Sequence, residues 1–140
     1  MKSTTPYRYT QVRVSASQES IRGLLTKHDT EATRFTFSGE IAVVEFVRGK
    51  QPYRVTANGL GIDNQSDRQI WRVLYFWLKS KMEAIDFGLM EFETEFLPYA
   101  VISDGRKSTT IADAVRPRLE AGALDPNDPF KRLLTLEAGK

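Results

Sequence analysis

Arginines interleaved with aromatic rings are the pattern in this chain with chemical content: Tyr7, Arg8, Tyr9, Arg13, Arg34, Arg48, Lys50, Tyr53 and Arg54, then Arg68 and Arg72. Guanidinium groups meet phosphates and flat rings stack on bases, so such a set gathered on one surface binds single-stranded nucleic acid. In extended backbone, residues two apart share a face, which turns Arg34 with Thr36, and Arg54 with Thr56, away from the side of Phe35 and Val55. Arg34, Arg48, Arg54, Arg68, Arg72 and Lys79 are the expected nucleic-acid contacts. The competing explanation is an ordinary sheet surface, which commonly carries arginine and threonine.

A second set is acidic: Glu83, Asp86, Glu91, Glu93 and Glu95. Hard divalent cations take carboxylate oxygens, and two-metal nucleases collect several on one face. Those sites place their acid and lysine on neighbouring strands, whereas this stretch reads as helix with loosely spaced acids beside Lys79 and Lys81. A solvated acidic edge is expected, with Lys79 and Glu83 as an i, i+4 pair and neither metal nor cofactor. His28, the only histidine, ends an apolar helix face, where capping outweighs proton transfer as an explanation. No G-x-S-x-G elbow is present, and Gly59-Leu-Gly61 lacks the spacing and the lysine of a phosphate loop. The expectation is a binding protein without catalytic residues.

These groups sit in 140 residues, enough for one domain with a real core, and the 41% hydrophobic and 27% charged shares are those of a globular chain. Formal net charge is only +2, so the distribution of arginine matters more than its total. The absence of cysteine excludes disulfides, thiolate metal sites and a cysteine nucleophile. With no apolar run behind the polar N-terminus and none of membrane-spanning length, a cytoplasmic location and no membrane partner are expected.

The positioning elements follow from periodicity. Tyr7 to Val14 alternates as a strand with a break near Thr10. Ser17 caps a helix from about Gln18 to His28, with Ile21, Leu24, Leu25 and His28 on its buried face. From Thr33 to Ala57 a period of two, with turns at Ser38-Gly39 and Gly49-Lys50, predicts a three-stranded antiparallel meander. Ser66-Asp-Arg-Gln69 has the form of a capping box and opens a long helix ending at Gly88. Ile70, Val73, Leu74, Trp77, Leu78 and Ile85 form its apolar stripe, which Trp71, Tyr75 and Met82 widen beyond what one sheet face needs. Trp71 and Tyr75 are therefore the candidate protein interface.

Leu89 to Leu97 fits helix and strand about equally, and glutamate and methionine tilt it to helix. Tyr99 to Ile102 is a strand candidate and Asp104-Gly105 a turn. Thr110 caps a last helix expected to bury Ile111, Ala114, Val115 and Leu119 before Gly122, despite Pro117. The expected organisation is one α+β domain over residues 1–122 and a C-terminal tail, 123–140, that docks or stays loose.

The long-helix region resembles a small protein family common in bacteriophages and prophage-like elements. It reads Arg68-Gln-Ile-Trp-Arg-Val-Leu-Tyr, Lys79-x-Lys81-Met-Glu83-Ala-Ile, Glu93-x-Glu95-Phe-Leu-Pro-Tyr99 and Ser103-Asp-Gly-Arg106. In that family R-Q-R-W-R-A-L, I-K-A-K-L-E-A-V, E-E-E-F-L and L-P-D-G-R follow in the same order, and the resemblance covers about residues 10 to 122. Lys107-Ser-Thr-Thr stands where the family has Thr-Val-Gly, and the loop before the long helix is shorter. The resemblance implies a mobile-element setting and no particular activity. The resulting expectation is a phage-type, non-enzymatic accessory protein that binds nucleic acid, single-stranded in preference, in replication or recombination. The alternative is a protein-binding effector that inhibits or redirects a host factor, including one of host defence.

Overall fold

Two tight two-residue loops set the centre of the fold. Gly49 and Lys50 both take positive φ (57° and 71°), the twist that joins adjacent antiparallel strands, and Gly39 (φ 61°) opens the preceding loop. In this computed structural model, which describes residues 7–59, 66–103 and 105–121, they connect β1 (Ala32–Ser38), β2 (Ile41–Arg48) and β3 (Gln51–Asn58) in the order β1-β2-β3. The register runs from Ala32 opposite Val47 to Ser38 opposite Ile41, and from Ile41 opposite Asn58 to Arg48 opposite Gln51. The expected meander is therefore present, with strand ends within a residue or two of the reading.

The pleat sorts side chains as the period of two requires. Ala42, Val44, Phe46, Tyr53 and Val55 are buried on one face, and α1 (Val14–Thr26) and α2 (Asp67–Phe87) supply the opposing core residues Ile21, Leu25, Ile70, Trp71, Leu74 and Leu78. Ser66 Oγ accepts from the Gln69 amide at 3.1 Å, starting α2 where the sequence placed it. Gly88 ends α2 at φ 88°, its amide and that of Leu89 donating back to Ile85 and Ala84 at 3.0 Å each.

Four expectations are corrected. Tyr7 to Val14 is no strand: Tyr7 has φ 58° and accepts from the Thr10 amide at 3.1 Å, closing a turn, and the helix begins at Val14. Its N-cap is Arg13, so Ser17 lies inside the first turns and is fully buried as a polar contact. Leu89 to Leu97 is helical only over α3 (Phe92–Glu95), followed by a 3-10 turn at Leu97–Tyr99. Finally α4 (Ile111–Glu120), capped by Thr110 Oγ1 at 3.3 Å from the Asp113 amide, buries none of its residues. Ile111 is half-buried against the core, while Val115 and Leu119 are 39% and 70% exposed.

The strand candidate near Ile102 is β4 (Val101–Ser103), paired antiparallel with β5 (Ser108–Thr110), a strand the sequence did not suggest. Ala100 bridges to Tyr53 and so attaches this ribbon beside β3. Phe92, Phe96 and Tyr53 pack edge to face and stacked around Phe46, closing one end of the core. The tail after Ala121 and the aspartate of the Asp104-Gly105 turn lie outside the described residues, while Gly105 takes φ 90°.

Candidate nucleic-acid interface

The basic residues picked out by the sequence fall on three separate surfaces. Arg34 and Arg54 share the open face of the sheet, opposite each other across Glu45 in the register. Arg34 Nη2 and Nε lie 2.8 and 2.9 Å from Glu45 Oε1, and Arg54 Nε is 3.2 Å from Oε2. Partial burial pushes the Glu45 carboxyl up, but the two guanidiniums outweigh it and hold it below the usual glutamate range. A cavity of about 450 Å³ opens beside this row, lined among others by Ala32, Val47, Val101 and Ser108. One carboxylate against two guanidiniums leaves a single net charge here, with Thr36, Val43 and Thr56 as the next row.

Arg48 departs from the expectation that it joins them. It continues the buried series Ala42, Val44, Phe46 and so points to the helix side. There Nη1 meets Glu93 Oε1 at 2.6 Å, Nε donates to the His28 carbonyl at 3.1 Å, and the guanidinium lies 4.2 Å from the Phe92 ring centre. Glu93's own backbone amide, and then Arg48, hold that carboxyl below its usual range. Arg48 thus ties the end of α1 to α3 through β2.

The third surface is the outer side of α2. Arg68, Arg72, Tyr75 and Lys79 recur at i, i+4, i+7 and i+11, which on a helix is one stripe. Arg72 Nε and Nη2 donate to the buried Ser17 Oγ at 3.2 and 2.9 Å, and its guanidinium lies 4.8 and 5.5 Å from the ring centres of Tyr75 and Phe76. Lys79 Nζ stands 5.6 Å from Phe76 rather than pairing with Glu83 as expected. The turn at Tyr7 to Thr10 lays Tyr7 flat on Phe76, centroids 4.9 Å apart and planes 9° from parallel. Beyond it Tyr9 is 82% exposed, with Arg8 at 5.6 Å from its ring centre. Among the described residues, no acid lies within ion-pair distance of Arg68, Arg72 or Lys79.

Phe76 is the member that sequence reading missed. It lies off the apolar stripe that defines the core side of α2, and its spacing of four from Arg72 and three to Lys79 was the available signal. Trp71, by contrast, is not a surface residue: it is fully buried, edge-on to Phe35 and Phe37 at 5.7 and 5.8 Å. Tyr75 remains partly exposed within the stripe.

The acidic set disperses into separate partnerships. His28 Nδ1 lies 2.8 Å from the Leu24 carbonyl, closing α1 as a cap, while Nε2 meets Asp86 Oδ1 at 2.8 Å. Glu95 accepts from Lys81, Glu93 from Arg48, and Glu83 and Glu91 are exposed. Among the described residues, no three acids or histidines converge as metal ligands. Nor is any described helix long and apolar enough to cross a membrane.

Comparison of the chain with protein-family models, with curated proteins and with solved structures finds no match.

Proposed function

We propose that this chain is a non-enzymatic accessory protein that binds single-stranded nucleic acid through the outer stripe of α2 and the adjoining Tyr7–Tyr9 turn. Its setting, on this reading, is the replication or recombination of a bacteriophage or prophage-like element. One observation carries it: Arg68, Arg72 and Lys79 stand in line without acid partners, and their neighbours are rings. Arg34 and Arg54 spend their charge on Glu45 and Arg48 on Glu93, so the sheet arginines contribute less than the sequence alone suggested. Cations aligned with exposed rings suit a strand whose bases are unstacked, since phosphates meet the cations while base faces meet Tyr7 and Tyr9. The effector reading keeps Tyr75 but loses Trp71, which drew its interface from a side chain now in the core.

The test is fluorescence anisotropy of labelled single-stranded and double-stranded DNA and RNA, titrated at low and at physiological salt. Tighter, salt-sensitive binding to single strands is expected. An absence of binding at low salt refutes the reading.

A further inference from the structure

Two apolar surfaces stand apart from the α2 stripe. One is a knuckle at the end of α2, where Phe87, Leu89 and Met90 are 85%, 68% and 42% exposed. The left-handed turn at Gly88 carries the chain out of the helix between them. Acids surround it: Glu83 one helical turn back, then Asp86, Glu91 and Glu93, all exposed. The other surface is on α4. Ile111, Val115 and Leu119 recur every fourth residue along one side, and exposure rises outward from the half-buried Ile111 to the 70% of Leu119. At about 100° per residue, Arg118 and Arg116 fall on the two flanks of that stripe.

Large apolar side chains exposed in groups mark contact surfaces. The rims decide the pairing, because a knuckle with an acidic rim repels its own kind and attracts an apolar stripe with a basic one. We propose that the partner is a second copy of this chain, the Phe87–Met90 knuckle of one seated along the Val115–Leu119 stripe of the other. The chain carries both halves of the contact, so no foreign surface is required. A contact between unlike patches is heterologous: used twice it closes a dimer, used once per copy it propagates head to tail. Neither patch includes Arg68, Arg72 or Lys79, so the contact is independent of nucleic-acid binding.

Sedimentation equilibrium of the full chain, free of nucleic acid, over a rising concentration series is the experiment. The wild-type mass should climb above the monomer. Glu83→Lys with Glu91→Lys, and separately Arg116→Glu with Arg118→Glu, should each weaken association about tenfold or more by setting like charges against each other. An equimolar mixture of the two variants, which restores opposite rims at one contact, should associate again. Phe87→Ser keeps every charge, lies at an exposed helix end and should also dissociate the complex, which guards against a charge variant that merely folds poorly. A wild-type chain monomeric throughout, or a mixture that stays monomeric, overturns the proposal, and neither result touches the anisotropy test.

Discussion

Removing Arg68 and Lys79 together, as Arg68→Ala with Lys79→Ala, tests the α2 stripe while leaving Arg72 in place on Ser17. Eleven residues at 1.5 Å rise put the two cations about 16 Å apart, far enough to meet different phosphates. Each phosphate neutralised on a single strand contributes about 0.7 to the slope of log affinity against log salt, so the pair accounts for about 1.4 of it. At roughly 0.1 M salt that slope is worth about 25-fold in affinity, against a smaller loss as salt approaches 1 M. The assay is anisotropy of a labelled single strand at four or more salt concentrations for wild type and variant. Arg34→Ala with Arg54→Ala is the matched control, equal in charge removed but on the far face of the sheet. A slope that survives loss of the stripe pair, or that falls with the sheet pair instead, refutes the assignment.

Tyr9→Ala should weaken single-strand binding by about 1–3 kcal/mol, the worth of one stacked base, and leave duplex binding unchanged; equal losses on both would show that Tyr9 does not stack. Trp71 separates packing from polarity: Trp71→Ala should cost about 3–5 kcal/mol in urea unfolding. Because Trp71 Nε1 is buried without a hydrogen-bond partner, Trp71→Phe should cost far less, and equal costs would mean the indole N–H is satisfied. Glu45 has a depressed folded pKa, so its contribution is present above the ordinary glutamate range and is lost as pH falls through the depressed value. Glu45→Gln should therefore lower stability by on the order of 1 kcal/mol near neutral pH, with a gap from wild type that narrows towards about pH 3; a constant gap contradicts the linkage. Gly88→Ala should cost about 1–2 kcal/mol from backbone strain alone, since an added Cβ meets nothing within 4 Å, and Gly88→Asn should cost less in the same thermal melt.

How much of this was legible varies with how local the determining physics is. The meander, the Ser66 cap and the Gly88 stop rest on turn chemistry and capping within a few residues, and they stand where periodicity put them. The Tyr7–Tyr9 alternation had the form of a strand, yet its rings serve a long-range stack on Phe76 that no local pattern encodes. Trp71 was assigned to a surplus face because the sheet was counted as the only partner of α2. That helix also packs on α1 and on the ring cluster of Phe96 and Tyr99, so its wide apolar arc is consumed internally. The apolar spacing of α4 implied burial and was misleading for the opposite reason, since Val115 and Leu119 find no cover among the described residues.

Arg48 shows what separates a candidate list from a site. Its face was readable from the register, two residues after Phe46, but the type of residue outweighed its parity when the basic residues were pooled. Composition counts every arginine alike, whereas affinity for a polyanion depends on charge that has no internal acid to answer it. Sorted that way, Glu45 answers Arg34 and Arg54, Glu93 answers Arg48 and Glu95 answers Lys81. What is left in register on one helix is Arg68, Arg72 and Lys79, with Tyr75 between them and Phe76 alongside. A formal charge of +2 over the whole chain is therefore compatible with a locally strong cationic line, because the balancing acids are held on other surfaces.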